Sequence, residues 1–404
     1  MAPTHPSINR IAFINLEGQV STVDPTGNNL RVLTDLDSYF QFPAWSPDGT
    51  ALAAIGGERA KAGLFLLSDQ AKPRPTTPLF IDPQQPPFYL YWSPDSRWIS
   101  FIANDSAGGI GLHLASVADK KSHRVTSGQP FFWDWTPDSQ HLLIHTGGNG
   151  PQARLAFIDQ AGQTTRALPR PALFQAPGVA PSGQRWAYAT FSPANSERLV
   201  VADSTGEVAE APYQGALILS WSPRHDRLAF ISPSEAIQQF YGPLRLLDLT
   251  TGQIEVLAQE MILAFFWAPD GNKIAYLRLS DTYSQEVGLD EADSDSPVHT
   301  NGRSPALSPA SQLSEHLVLQ AWVVNVATGR QRRLISFEPP SLFVNQFMPF
   351  FDQYALSHRL WSPDSQALLL PIVSHRRLHL TVVPIDGSPV HSVAEGVIGF
   401  WSWQ

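Results

Sequence analysis

The chain has 404 residues, with 36 acidic and 27 basic side chains and a formal net charge of −9. That balance argues against a nucleic-acid partner, which needs a concentrated positive surface. With no Cys, disulfides, thiolate metal sites and a Cys nucleophile are excluded, and 35 dispersed Pro with 27 Gly predict many short strands joined by turns rather than long helices.

At the N-terminus, Met1 to Pro6 lacks the basic and apolar regions of a secretory signal, and no apolar run reaches the roughly 18 residues of a membrane span. The expected compartment is the cytoplasm, or the periplasm or envelope if an upstream signal is missing. Arg10 to Ile14, Gln19 to Val23 and Arg31 to Thr34 alternate as three strands. A phrase then recurs: Trp45-Ser46-Pro47-Asp48, Trp92-Ser93-Pro94-Asp95, Trp135-Thr136-Pro137-Asp138, Trp267-Ala268-Pro269-Asp270 and Trp361-Ser362-Pro363-Asp364. Degenerate copies stand at Ala180-Pro181-Ser182-Gly183 and Trp221-Ser222-Pro223-Arg224, and a half-copy, Phe400-Trp401-Ser402-Trp403, closes the chain.

Successive anchors lie 40 to 47 residues apart, apart from one interval of 94. A period of about 40 to 45 residues is that of a propeller blade of four short strands. Pro presets the first central turn residue and Asp suits the second, so each phrase predicts a tight hairpin. A second turn signal keeps step with it, at Asp24 to Gly27, Asp159 to Gly162, Asp203 to Gly206, Asp248 to Gly252, Asn325 to Gly329 and Asp386-Gly387.

In the 94-residue interval, 281–316 shows no strand alternation; its Asp290, Glu291, Asp293 and Asp295 amid Ser, Pro and Gly predict a disordered acidic insertion. Segment 339–360 is about 15 residues longer than the equivalent links and is expected to cover one face. Val397 to Trp403 is expected to join the three N-terminal strands in a shared blade. The fold expected is all-β, a single domain over 1–404: a closed β-propeller of eight four-stranded blades, the last shared between the chain ends.

These Trp-Ser-Pro-Asp-Gly repeats resemble those of the TolB-type, WD40-like propellers along nearly the whole chain. The resemblance implies a six-bladed ring for TolB, fewer repeats than stand here. It implies no single function, since such blades occur in binding proteins and beside hydrolase domains alike.

The anchor Trp are expected in the core, where each removes about 150 to 250 Å² from water. The links preceding them carry Tyr39, Phe40, Tyr89, Tyr91, Phe131 and Trp133, expected as an aromatic rim for a peptide or a sugar ring. Phe350, Phe351, Asp352, Tyr354, His358 and Arg359 are expected as contact residues of the long segment. No Gly-x-Ser-x-Gly elbow, His-Glu-x-x-His or phosphate loop occurs, so no catalytic residue, cofactor or metal is expected; His141 and His145 would lie too far apart on a strand to share an ion. The function expected is a monomeric, non-enzymatic scaffold binding a protein partner, with peptide or carbohydrate as further ligands. The alternatives are a channel enzyme on a saccharide or peptide using Asp352, His358 and Asp134, and an accessory subunit of an envelope or transporter assembly.

Overall fold

A computed structural model describes residues 9–58, 61–70, 76–106, 108–234, 239–280 and 317–403; the expected insertion 281–316 lies outside them. The architecture is all-β, built from antiparallel four-stranded sheets. Four are continuous in sequence, running from Ser38–Trp45 to Thr77–Ile81, Pro87–Trp92 to Ser122–Gly128, Phe131–Trp135 to Thr164–Ala167 and Gly178–Val179 to Gly206–Pro212.

Next comes a seven-stranded sheet from Ile218–Trp221 to Gln331–Phe337. Its middle strand, Gln253–Trp267, pairs through 253–258 with Gly242–Asp248 and through 262–267 with Lys273–Leu279. One unbroken strand thus ends one four-stranded unit and begins another. Ala367–Ser374, Arg377–Pro384 and His391–Glu395 form a further sheet, extended inward by a bridge from Trp361 to Leu368.

The two ends of the chain meet. Ile398–Trp401 pairs antiparallel with Ile11–Ile14, Ile11 opposite Trp401 and Ile14 opposite Ile398, and Val20–Val23 and Arg31–Val32 complete that sheet. Arg10 N donates to Ser402 Oγ at 3.1 Å. Asp69, in the loop after strand Gly63–Leu67 of the neighbouring sheet, pairs with Arg10 (2.7 Å) and Arg31 (3.0 Å).

The hairpin phrase works as a small hydrogen-bonded frame. Ser46 Oγ donates to Asp48 Oδ1 at 2.6 Å and accepts from Ala51 N at 3.0 Å; Ser93 with Asp95 and Trp98, Thr136 with Asp138 and His141, and Ser362 with Asp364 and Ala367 repeat it. The residue after Asp sits in the left-handed region: Gly49 at φ 71° and Gly271 at 69°, but Ser96 and Ser139 at 60° and Ser365 at 61°. Those serines have a tertiary purpose. Each accepts a hydrogen bond from the backbone N of the hairpin Asp in the preceding unit: Asp48 on Ser96 (3.1 Å), Asp95 on Ser139 (3.1 Å), Asp270 on Ser365 (3.0 Å).

Tryptophans make a second link between units. Nε1 of Trp92, Trp221, Trp267 and Trp361 donates to Ala44, Gly178, Ser220 and Phe266 O of the unit before, at 3.0 to 3.1 Å. Trp403 Nε1 reaches Trp45 O at 3.0 Å, a link between the C-terminal sheet and the first hairpin unit that runs in the opposite direction; the buried Nε1 of Trp45 and of Trp401 has no hydrogen-bond partner among the described residues. Burial of the anchor indoles between sheets puts them in the core.

The hairpin serine yields a discriminating pair of substitutions. Left-handed backbone costs a non-glycine residue about 1 kcal/mol and a lost hydrogen bond about as much. Ser139→Ala keeps the strain and loses the bond, so it is expected to destabilise by about 1 to 2 kcal/mol in urea unfolding. Ser139→Gly is expected within about 0.5 kcal/mol of the parent, because relief of strain offsets the lost bond; equal losses in both variants would refute this account.

Candidate functional site

The interior between the inner strands is occupied by the long segment. After Pro339-Pro340 it winds through a π turn (Phe343–Phe347), a 3-10 turn (Met348–Phe350) and a short α-helix (Phe351–Ser357). Phe343, Phe347, Phe351 and Tyr354 are buried. Their rings meet the inner strands: Tyr354 on Phe42 (4.8 Å) and Tyr89 (5.0 Å), Phe351 on Phe265 (5.4 Å), Phe347 on Phe400 (5.8 Å).

Polar side chains tie this plug to the sheets. Gln353 receives Trp133 N on Oε1 and donates from Nε2 to Trp133 O, both at 2.9 Å, pairing with that residue as a strand would. Tyr89 Oη donates to Gln353 O at 2.6 Å. Asp352 Oδ2 accepts from Ala176 N at 2.9 Å, and Gln175 Nε2 donates to Pro349 O at 3.0 Å.

His358 lies within 3.2 Å of Phe42 O through Nε2 and 2.5 Å of Ser357 Oγ through Nδ1. A carbonyl only accepts, so the proton belongs on Nε2 and Ser357 donates to Nδ1. Phe42 itself sits at φ 46°, a strained position for an aromatic residue, where the register of its strand shifts between Gln41 and Ala44. Burial drives the pKa of His358 down to about 3, so it is neutral at ordinary pH.

Most of the residues expected as an open aromatic rim are therefore not on the surface. Phe40, Tyr89, Phe131 and Trp133 are buried, as are Phe351, Asp352, Tyr354 and His358. The sequence distinguishes aromatic from polar but not which aromatic meets a plug, and here the plug consumes these faces. Tyr39 and Phe350 remain exposed, at 60% and 43%, and Tyr91 and Arg359 are half-buried.

Beyond the plug a cavity of about 410 Å³ opens at the hairpin ends of the inner strands, not at the link ends. Its volume falls within the roughly 300 to 1,000 Å³ of ligand pockets. Its wall is made by Trp92, Trp135, Trp221, Trp267, Trp361 and Trp403 with the hairpin prolines Pro47, Pro94, Pro137, Pro181, Pro223 and Pro269. The plug, from Ala355 to Leu360 with Asp352, lines it further, together with Asp134 and inner-strand residues such as Tyr91, Val179 and Ser220. Sequence reasoning missed this use of the prolines, although their recurrence in every hairpin was the available signal.

Asp134 receives Tyr91 Oη on Oδ1 at 3.0 Å and Val179 N on Oδ2 at 2.8 Å. Desolvation pushes its pKa to about 7 and that of Asp352 to about 6. Asp352 Oδ1 is buried without a hydrogen-bond partner among the described residues, a position that favours the neutral acid. Arg359 stacks on Trp403, its Cζ 4.2 Å from the ring centre, and donates from Nη1 to Trp403 O at 3.0 Å.

His145 faces Gln175 O and Gly148 O, each at 2.9 Å, and stacks on Phe174 at 4.2 Å; His141 lies apart from it at the start of the strand. Among the described residues no group of three or more His, Cys, Asp or Glu is placed to hold a metal, and no helix is long and apolar enough to cross a membrane.

No family model matches the chain. An uncharacterized protein of Agrobacterium fabrum is 23% identical over 264 residues, 62% of this chain and 88% of that relative. The Tol-Pal system protein TolB of Alcanivorax borkumensis is 33% identical over 64 residues, 15% of this chain and 14% of TolB. Among solved structures, that of a eukaryotic initiation factor covers 98% of both chains at 13% identity and a TM-score of 0.57, a likeness of fold alone. The repeated hairpins and four-stranded sheets give the chain the fold of a β-propeller, and its hairpin repeats are similar to those of TolB-like propellers.

The buried carboxyls give the site a pH signature. An acid whose folded pKa is raised, from 3.8 to about 7 for Asp134, binds its proton more tightly when folded. Its stabilising contribution is complete below about pH 4 and is lost as pH rises through about 7; three pH units correspond to about 4 kcal/mol as an upper value. Asp134→Asn copies the neutral acid and has no such loss. Its stability relative to the parent is expected to climb from about pH 4 and level off above about pH 7 in chemical unfolding, and a constant difference would overturn the assignment.

Proposed function

We propose that the chain forms a closed ring of eight blades and works as a non-enzymatic binding module, admitting a segment of a protein partner to the cavity on its hairpin face. Eight units follow when Gln253–Trp267 serves two of them and Trp361 begins another. The strand pairing of the chain ends and the Trp403 bond to Trp45 O support closure.

The observation that carries the binding role is the cavity itself. It is walled by aromatic and proline side chains, with a few polar groups at its inner end, the usual composition of a recognition pocket. The other mouth is filled by a plug whose polar groups bond to the inner strands, which leaves it little free surface.

The test fills the cavity from its wall. Ser220, half-buried on the lining, is changed to Trp, and partners captured from the native host are compared with those of the parent and of a Tyr39→Ala/Phe350→Ala variant on the link face. Partners lost with Ser220→Trp and kept with the double variant support the reading. The converse pattern places the interface on the link face and removes the cavity from it.

One observation favours a second reading, a channel enzyme acting on a saccharide or peptide: Asp134 and Asp352 line one cavity with pKa values of about 7 and 6, suited to acid-base work near neutrality. Binding is preferred because both oxygens of Asp134 are already engaged and the free Oδ1 of Asp352 is fully buried. Turnover of an oligosaccharide or peptide library that vanishes in both Asp→Asn variants would reverse that preference.

A further inference from the structure

We propose that the cavity takes a ligand bearing a single carboxylate, which docks on the guanidinium of Arg359; this rests on the cavity being the binding site. Arg359 is placed for that task by the strand bridge it makes with Trp401. Its plane is set by stacking on Trp403, and Nη1 is spent on Trp403 O at 3.0 Å. The other N–H groups have no acceptor among the described residues.

The charge is also unanswered. Among the described residues no carboxylate forms an ion pair with Arg359, and the one charged group that acts on it is a second cation, Arg224. Arg224 bonds Pro269 O through Nε at 3.3 Å and among the described residues has no acidic partner either. A guanidinium half-buried among Trp and Pro walls, beside another cation, is costly to leave without a counter-ion. It remains protonated, since burial lowers its pKa only to about 10.

The form of the anion follows from its surroundings. The fork of a guanidinium matches the two oxygens of a carboxylate. A dianion such as a phosphate monoester would carry a second charge that the single guanidinium leaves unanswered, against a chain of net charge −9. The Trp and Pro walls require the rest of the ligand to be apolar. Two sources share this chemistry: the C-terminus of a partner chain and a free apolar acid.

The cavity's tryptophans supply the readout. Intrinsic fluorescence is titrated with 3-phenylpropionate and with its amide, and with the tetrapeptide Ala-Ala-Pro-Phe as free acid and as C-terminal amide. The acids are expected to bind the parent at least about ten-fold more tightly than the amides, and Arg359→Gln to bring acid and amide to parity. Arg359→Lys keeps the charge but not the fork, and is expected to fall between them; it also serves if the Gln variant unfolds below the parent in a thermal scan. A tighter peptide acid assigns the ligand to a partner's C-terminus, and a tighter 3-phenylpropionate assigns it to a small acid.

Equal binding of acid and amide to the parent, an acid preference that survives in Arg359→Gln, or no binding of any probe would overturn the proposal. If the probes bind at parity and Ser220→Trp abolishes their binding, the cavity stands as a site and only the carboxylate falls.

Discussion

The packing of an anchor tryptophan between neighbouring sheets is the contact on which the rest of the structure depends, and in four units it is reinforced by a bond from the indole N–H to a backbone carbonyl of the preceding unit. It lies at the hairpin end of the inner strand, where the Trp side chain is pressed between two sheets. Where it is made, the hydrogen bond gives that hydrophobic contact a direction, since it satisfies a buried N–H at one angle only. Repeated in these four units, and joined by the reverse bond from Trp403 to Trp45 O, it sets the angle between those neighbours, and the serine bonds of the hairpins hold the same edges.

Fixed angles leave a hollow at the centre, and a hollow lined by aromatic strand residues must be filled or wetted. The protein fills it with its own chain. The plug presents Phe343, Phe347, Phe351 and Tyr354 to the inner strands and satisfies exposed strand groups through Gln353 and Asp352. It reaches only part of the way, and what it leaves is the cavity among the hairpin prolines.

That residual space has an uneven electrostatic character. Two acids are held towards neutrality by desolvation, one histidine is neutral for the same reason, and the Arg359 guanidinium retains its charge with no carboxylate ion-paired to it among the described residues. The low dielectric that suppresses the carboxyl charges also strengthens any interaction the guanidinium makes. The polar groups thereby acquire a polarity as a set that none shows in the sequence.

The sequence by itself determined the repeat and its mechanics. The spacing of Trp45, Trp92, Trp135, Trp221 and Trp267, with a Pro two residues after each, prescribes a hairpin, and alternation prescribes the strands on either side, because turn chemistry and strand periodicity are local properties. It also marked the segment 339–360 and Arg359 as distinctive. Only the tertiary structure decided that Tyr89, Trp133, Asp352 and His358 face one another inside rather than a solvent-filled mouth, that one strand serves two units, and that the open cavity lies among the prolines. Those outcomes depend on how far a helical plug descends between sheets that are far apart in the chain, and residues whose sequence separation exceeds 200, such as Trp133 and Gln353, leave no local pattern by which their meeting could be read.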